Sequence, residues 1–247
     1  MLHWGAHYPV NTMRSGLTVL LLAALLSGCA TPTPAGKATP APEAATGLDP
    51  VSSPQWAADM ARFAAEDASR PPPAHPVVFT GSSSVRMWGS LADDFPQVPV
   101  LNRGFGGSQV RDATWYADEI AIRYQPRRIV LYAGDNDIDA GRSPAQVRDD
   151  VRAFVARIRR DLPGVPIAYL AIKPSPARID QLPAQREANA LVRAEAARLQ
   201  DVDFIDVATP MLGADGQPRA ELFGDDDLHM NARGYELWRG IVAPYLR

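Results

Sequence analysis

Two segments far apart in the chain hold residue types that together suit acyl-transfer chemistry. Near the C-terminus, Asp225-Asp226-Asp227-Leu228-His229-Met230-Asn231 sets a carboxylate three residues before an imidazole. At that spacing Asp226 reaches one ring nitrogen of His229 while the other faces outward, which is the orienter and base half of a hydroxyl-activating set. A candidate hydroxyl stands in Val77-Val78-Phe79-Thr80-Gly81-Ser82-Ser83-Ser84, where an apolar run breaks into glycine and three serines. A serine at a strand-to-helix turn lies near unpaired amides and the positive end of a helix dipole. The same pattern also serves as a plain helix N-cap.

Two further segments qualify. Leu101-Asn102-Arg103-Gly104-Phe105-Gly106-Gly107-Ser108 carries three glycines, which permit a tight turn and let backbone N–H groups approach a ligand. Tyr132-Ala133-Gly134-Asp135-Asn136-Asp137 ends an apolar run in amide and carboxylate groups. An amide there suits donation to an oxyanion without bringing a charge. The carboxylates suit a divalent cation equally in type, although their spacing matches no known ligand loop. Of the other histidines, His3 and His7 fall in the N-terminal leader, and His75 lies between Ala74 and Pro76, ahead of the first strand.

The elements that must position these groups follow from periodicity. Apolar, β-rich runs occur at Val77–Thr80, Val98–Leu101, Ile129–Ala133, Ile167–Ile172 and Phe204–Val207. Helical patterns lie between them. One begins near Ser53 and Pro54 with Trp56, Met60, Phe63 and Ala64 on one face. A second opens with a Ser143/Gln146 capping box and repeats Val147, Val151, Phe154, Val155, Ile158 and Leu162. A third covers roughly Pro183–Leu199, and the last starts near Asn231 with Tyr235, Trp238, Ile241 and Val242 aligned. Strands that alternate with helices and are apolar throughout predict a parallel sheet covered on both faces. Ligands of such sheets bind at the carboxyl ends of the strands, where the polar segments fall.

Taken in order, Gly-x-Ser, Asn-x-Gly-x-Gly-Gly, Gly-x-Asn-Asp and Asp-x-x-His resemble the blocks of the SGNH hydrolase superfamily, the GDSL-like lipases and esterases. The resemblance spans nearly all of residues 76–246. It implies an α/β fold, a flavodoxin-like three-layer α/β/α sandwich on a five-stranded parallel sheet, and a serine esterase that needs neither cofactor nor metal. It implies Ser83 as nucleophile, His229 as base and Asp226 as its orienter, with an oxyanion hole made by the amides of Ser83 and Gly107 and the side chain of Asn136. One departure stands out: Ser82 occupies the place of the usual Asp, so Ser82 and Ser83 compete as nucleophile, and the count from the strand end favours Ser83.

Composition narrows the remainder. A net charge of −3 gives no basic face for nucleic acid. Residues 1–28 read as a signal peptide, with 1–12 as a misassigned leader: Arg14 precedes the apolar run Leu17–Leu26, too short for a permanent span, and Leu26-Ser27-Gly28-Cys29 resembles a bacterial lipobox. Cys29 is the sole cysteine, which rules out an intrachain disulfide and suits lipidation. Residues 29–54, rich in Pro, Ala and Thr, read as a tether, and 55–247 as the esterase domain. The expectation is an exported lipoprotein of the bacterial envelope, anchored to the membrane through Cys29. In the bacterial lipoproteins that this segment resembles, Asp after the cysteine goes with retention at the inner membrane; Ala30 stands there instead, so the resemblance implies the outer membrane or the periplasmic face. Between the blocks no long apolar loop offers an acyl-chain channel, so the substrate expected is a short-chain acyl ester, such as an O-acetyl group on a carbohydrate. A lysophospholipid or thioester is the alternative, as is a non-catalytic glycan-binding role. Lys173 and Arg178, after the fourth strand, are candidate contacts to an acidic or sugar group on the substrate, or else ordinary surface charges.

Overall fold

The computed structural model describes residues 53–246. The signal segment, Cys29 and nearly all of the proposed tether lie outside the described residues. Five strands form one parallel sheet in the order β2-β1-β3-β4-β5: β1 Val77–Gly81, β2 Val100–Gly104, β3 Arg128–Tyr132, β4 Ile167–Leu170 and β5 Val202–Ile205. Helices precede, connect and follow the strands: α1 Ala57–Ser69, α2 Ser83–Arg86, α3 Leu91–Asp94, α4 Val110–Trp115, α5 Ala117–Ile120, α6 Asp135–Asp139, α7 Pro144–Asp161, α8 Leu182–Ala196 and α9 Ala232–Val242.

Strand side chains alternate between two apolar layers. Val78, Ile129, Leu131, Ile167 and Tyr169 pack with residues of α1, α4, α5, α7 and α8. Val77, Phe79, Val130, Tyr132, Ala168 and Leu170 pack with Trp88, Tyr235, Trp238 and Val242. The result is the three-layer arrangement that the strand-helix alternation implies. Ser143 and Gln146 do form a capping box on α7, and Asn231 caps α9 by accepting from the amides of Arg233 at 2.9 Å and Gly234 at 3.3 Å.

Several assignments differ from expectation, and β4 ends at Leu170, two residues before Ile172. β2 starts at Val100 and runs on to Gly104, so Asn102, Arg103 and Gly104 belong to the strand and not to the loop after it. Register with β1 holds them there, as does the Asn102 side chain, which accepts from the Gly104 amide at 2.9 Å. β5 starts and ends two residues earlier than Phe204–Val207, paired with β4 throughout. On α1 Ala64 is exposed, and Asp67 takes its place on the inner face. Asp67 binds the buried guanidinium of Arg103 and accepts from Tyr124 Oη at 2.7 Å, while Arg103 stacks on Phe63 and Tyr124. That buried polar network fastens α1 across the sheet edge, and no local periodicity signals it.

Candidate active site

Chain order sends β1 to β2 on one side and then back across to β3 on the other. The crevice between the carboxyl ends of β1 and β3 is therefore the switch point of the sheet, where connections diverge and leave space. Ser83 follows β1 and Asn136 follows β3.

The β1 turn is tight. Gly81 has φ +113°, and a Cβ there would stand 1.9 Å from the Tyr132 carbonyl oxygen, so only glycine fits. The chain then enters α2 with Ser82 N–H donating to that same carbonyl at 2.8 Å. Asn102 steadies α2 from β2 by donating Nδ2 to the Val85 carbonyl at 2.7 Å. Ser82 is wholly buried, whereas Ser83 sits at the pocket wall with its Oγ 2.9 Å from His229 Nε2. Of the two competing serines, it is Ser83 that meets the imidazole.

The His229 loop is held at both ends. An antiparallel bridge joins Phe223 and Met230, and the Gly224 N–H donates to the His229 carbonyl at 2.8 Å. Within it, Asp226 Oδ1 accepts from the amides of Leu228 at 3.0 Å and His229 at 2.9 Å, and Oδ2 lies 2.6 Å from His229 Nδ1. The imidazole bond, followed by those two amides, holds the Asp226 carboxyl far below the usual carboxylate range. An ionised carboxylate only accepts, so Nδ1 carries a proton and donates, and in the neutral form of the ring Nε2 presents its lone pair to the Ser83 hydroxyl. The arrangement is a hydroxyl, an imidazole and a carboxylate in one relay. His75 instead bonds the Gln125 carbonyl at the opposite edge of the sheet.

Across the crevice, Gly134 at φ +124° turns β3 into α6. Asn136 Nδ2 donates to the Ser108 carbonyl at 3.0 Å, and Oδ1 accepts from Arg178 Nη2 at 3.1 Å. Gly107 lies on the same pocket wall with φ +78°. The open pocket, about 470 Å³, is bounded by Ser83, Gly107, Asn136 and His229 from the four sequence segments, joined by Asp59 of α1 and Arg86 of α2. Arg86 stands one helical turn after Ser83 and packs against Gly106, where a Cβ would come within 2.7 Å of its Nε. Neither Asp59 nor Arg86 was anticipated. For Arg86 the signal existed, since positions i and i+3 share a helix face.

The two cations expected to touch substrate are placed otherwise. Lys173 is 1% exposed, and its ammonium donates to the Leu228 carbonyl at 2.9 Å and lies 3.7 Å from Asp135. It is buried beneath the His229 loop and does not line the pocket, which corrects the expectation of a side chain open to substrate. Arg178, also mostly buried, spends its guanidinium on Asn136, on Asp139 at 3.1 Å and on Asp135 at 3.3 Å. The acidic cluster is likewise engaged: Asp135 faces these two cations, and Asp137 accepts from the Val110 amide at 3.0 Å. Among the described residues, no three His, Cys, Asp or Glu side chains converge as metal ligands. Nor is any described helix long and apolar enough to cross a membrane.

The family model described as GDSL-like Lipase/Acylhydrolase matches residues 73–237, which contain all four segments. The chain belongs to this family. No curated protein matches it. Among solved structures, a candidate acylhydrolase from Bacteroides fragilis aligns with TM-score 0.67 at 21% identity, over 76% of this chain and 96% of that one. A GDSL-like lipase from Bacteroides thetaiotaomicron aligns with TM-score 0.65 at 19% identity, over 76% and 97%. A variant of an acetyl-xylooligosaccharide esterase from Geobacillus stearmophilus aligns with TM-score 0.56 at 13% identity, over 71% and 95%. At these identities the likeness is one of fold.

Proposed function

We propose that the protein is a serine esterase that cleaves short acyl esters, with O-acetyl groups on carbohydrate as the substrate class. The observation that carries the reading is the 2.9 Å contact of Ser83 Oγ with His229 Nε2, backed by the 2.6 Å contact of Nδ1 with Asp226. His229 takes the Ser83 proton as Oγ adds to the ester carbonyl. The amides of Ser83 and Gly107 and the Nδ2 of Asn136 receive the oxyanion. Collapse expels the alcohol, which takes the proton from imidazolium, and leaves acyl-Ser83. Water, deprotonated by His229, then adds to the acyl group and releases the acid.

Support for a short acyl group comes from the pocket wall, where glycines and polar groups predominate and Leu228 is the one aliphatic side chain. An alkyl chain of any length gains little there, since affinity for it scales with buried apolar area. Arg86 and Asp59 on the rim suit a hydroxyl-rich alcohol, and the fold is similar to that of the Geobacillus acetyl-xylooligosaccharide esterase. A further part of the proposal is location: export and lipid anchoring at Cys29 to the bacterial envelope. The test is hydrolysis of p-nitrophenyl esters from acetate to palmitate, beside acetate release from acetylated xylan, pectin and peptidoglycan. Turnover that falls steeply beyond butyrate, with acetate released from at least one polymer, supports the reading. Preference for palmitate, or for lysophospholipid, overturns the substrate class. Absence of any turnover favours a non-catalytic glycan-binding protein.

A further inference from the structure

We propose that Arg178 is a positioning residue for the oxyanion hole: it fixes the Asn136 amide so that the one N–H not taken by Ser108 is left to the pocket that Ser83 lines, while the loop that carries it also holds the His229 segment. The inference rests on the esterase reading above.

The orientation of a side-chain amide is decided by its partners. Arginine has donors only, and a backbone carbonyl only accepts. Arg178 Nη2 at 3.1 Å therefore claims Oδ1 of Asn136, and the Ser108 carbonyl at 3.0 Å claims one hydrogen of Nδ2. The second Nδ2 hydrogen remains for the pocket. Rotating the amide by half a turn would set Oδ1 against the Ser108 carbonyl and Nδ2 against the guanidinium, two repulsive contacts in place of two bonds. It would also present an acceptor to a developing oxyanion. Arg178 supplies half of this discrimination and the Ser108 carbonyl the other half.

The guanidinium is itself braced. Asp139 Oδ2 lies at 3.1 Å and Asp135 at 3.3 Å, and Gln181 Nε2 donates to the other oxygen of Asp139 at 2.6 Å. The same short loop reaches the opposite wall of the site. Its Ala177 N–H donates to the Asp227 carbonyl at 3.0 Å, and Lys173 at its start donates to the Leu228 carbonyl at 2.9 Å. Bonds from residues 173–178 thus end on the oxyanion donor and on the two residues just before His229. The loop spans the acid-base wall and the electrostatic wall, and it sets their separation. The positive guanidinium beside Oδ1 also polarises the amide, which strengthens Nδ2–H as a donor.

Arg178→Met keeps the length of the side chain and removes every donor, whereas Arg178→Lys keeps a single cationic donor group. With p-nitrophenyl acetate, Arg178→Met should lower kcat by about 10- to 100-fold with KM within about twofold, part of the ~10²–10³ carried by one oxyanion donor. Arg178→Lys should recover a portion of that loss. The decisive arm is the double variant: placed on Asn136→Ala, Arg178→Met should add less than about twofold, because its target is gone. Asp139→Ala, which removes an exposed brace and leaves Asp135 paired, should lower kcat by a few-fold and serves if Arg178→Met does not fold. A rise in KM at unchanged kcat would mean that Arg178 binds substrate and overturns the proposal. So would equal losses with and without Asn136, or no loss in either Arg178→Met or Asp139→Ala. Failure of the esterase reading shows separately, as a wild type that turns over no ester.

Discussion

Asp137→Asn should remove a pH dependence of stability that one buried carboxylate creates. Asp137 is fully buried on α6, and its two oxygens lie 3.0 and 3.3 Å from the Val110 amide, at the start of α4 just after Gly107 and Ser108. Burial pushes its carboxyl from 3.8 up to about 7, helped by Asp150 and Asp135 and opposed by the Val110 amide and Arg142. Between those two values the native state holds a proton that the unfolded chain has lost. Stability therefore falls as pH rises across the window, and is restored on acidification. A shift of roughly 3 units at ~1.4 kcal/mol each amounts to about 4 kcal/mol once both states have ionised. Asparagine cannot ionise and still offers an oxygen to the Val110 amide. Urea denaturation of both proteins between pH 4.5 and 8.5 reads the effect. The free energy of unfolding of Asp137→Asn relative to wild type should climb by roughly 3 kcal/mol over that range and level off above pH 7. A difference that stays constant would refute the raised carboxyl. One that shrinks as pH rises would show a carboxylate stabilised by its neighbours, the opposite sign.

Other expectations follow from the site and from the sequence. Asn136→Ala should lower kcat by ~10²–10³ with little change in KM, and EDTA should leave the wild type unaffected; inactivation by EDTA would instead favour a cation at the acidic cluster. In Gly104→Ala the new Cβ would lie 2.3 Å from the Arg86 nitrogen and 2.8 Å from the Val85 carbonyl carbon, so α2 must shift. That variant should lose about 1–3 kcal/mol in urea denaturation and most of its turnover, and unchanged activity would show that α2 tolerates the move. Cys29→Ser should leave the membrane fraction of an expressing bacterium for the soluble one, whereas unchanged fractionation and no fatty-acid incorporation would refute the anchor.

The sheet and the four segments at its crevice were legible because their signals are local. A strand ending in glycine marks its own carboxyl end, and Asp226 reaches His229 across three residues of one loop. What escaped local reading was the fate of polar side chains whose partners lie far along the chain. Lys173 looks like a surface charge beside prolines, yet its acceptor is the carbonyl of Leu228, 55 residues later. Arg178 meets Asn136 from 42 residues away, and Arg103 meets Asp67 from 36. Such pairs carry no periodicity, and burial of a charge reverses what its type suggests. The β2 boundary was missed for a related reason. Asn102-Arg103-Gly104 has low strand propensity, and tertiary pairing with β1 overrides it.

The role of Ser83 as nucleophile is tested most directly by covalent labelling with a fluorophosphonate, with the modified residue located by peptide mass spectrometry. The probe phosphonylates only a hydroxyl activated by a neighbouring base. A single adduct on Ser83 is expected, lost in Ser83→Ala and in His229→Ala and retained in Ser82→Ala along with most esterase activity. An adduct on Ser82, or a Ser83→Ala protein that still labels and hydrolyses esters, would contradict the assignment of Ser83 as nucleophile.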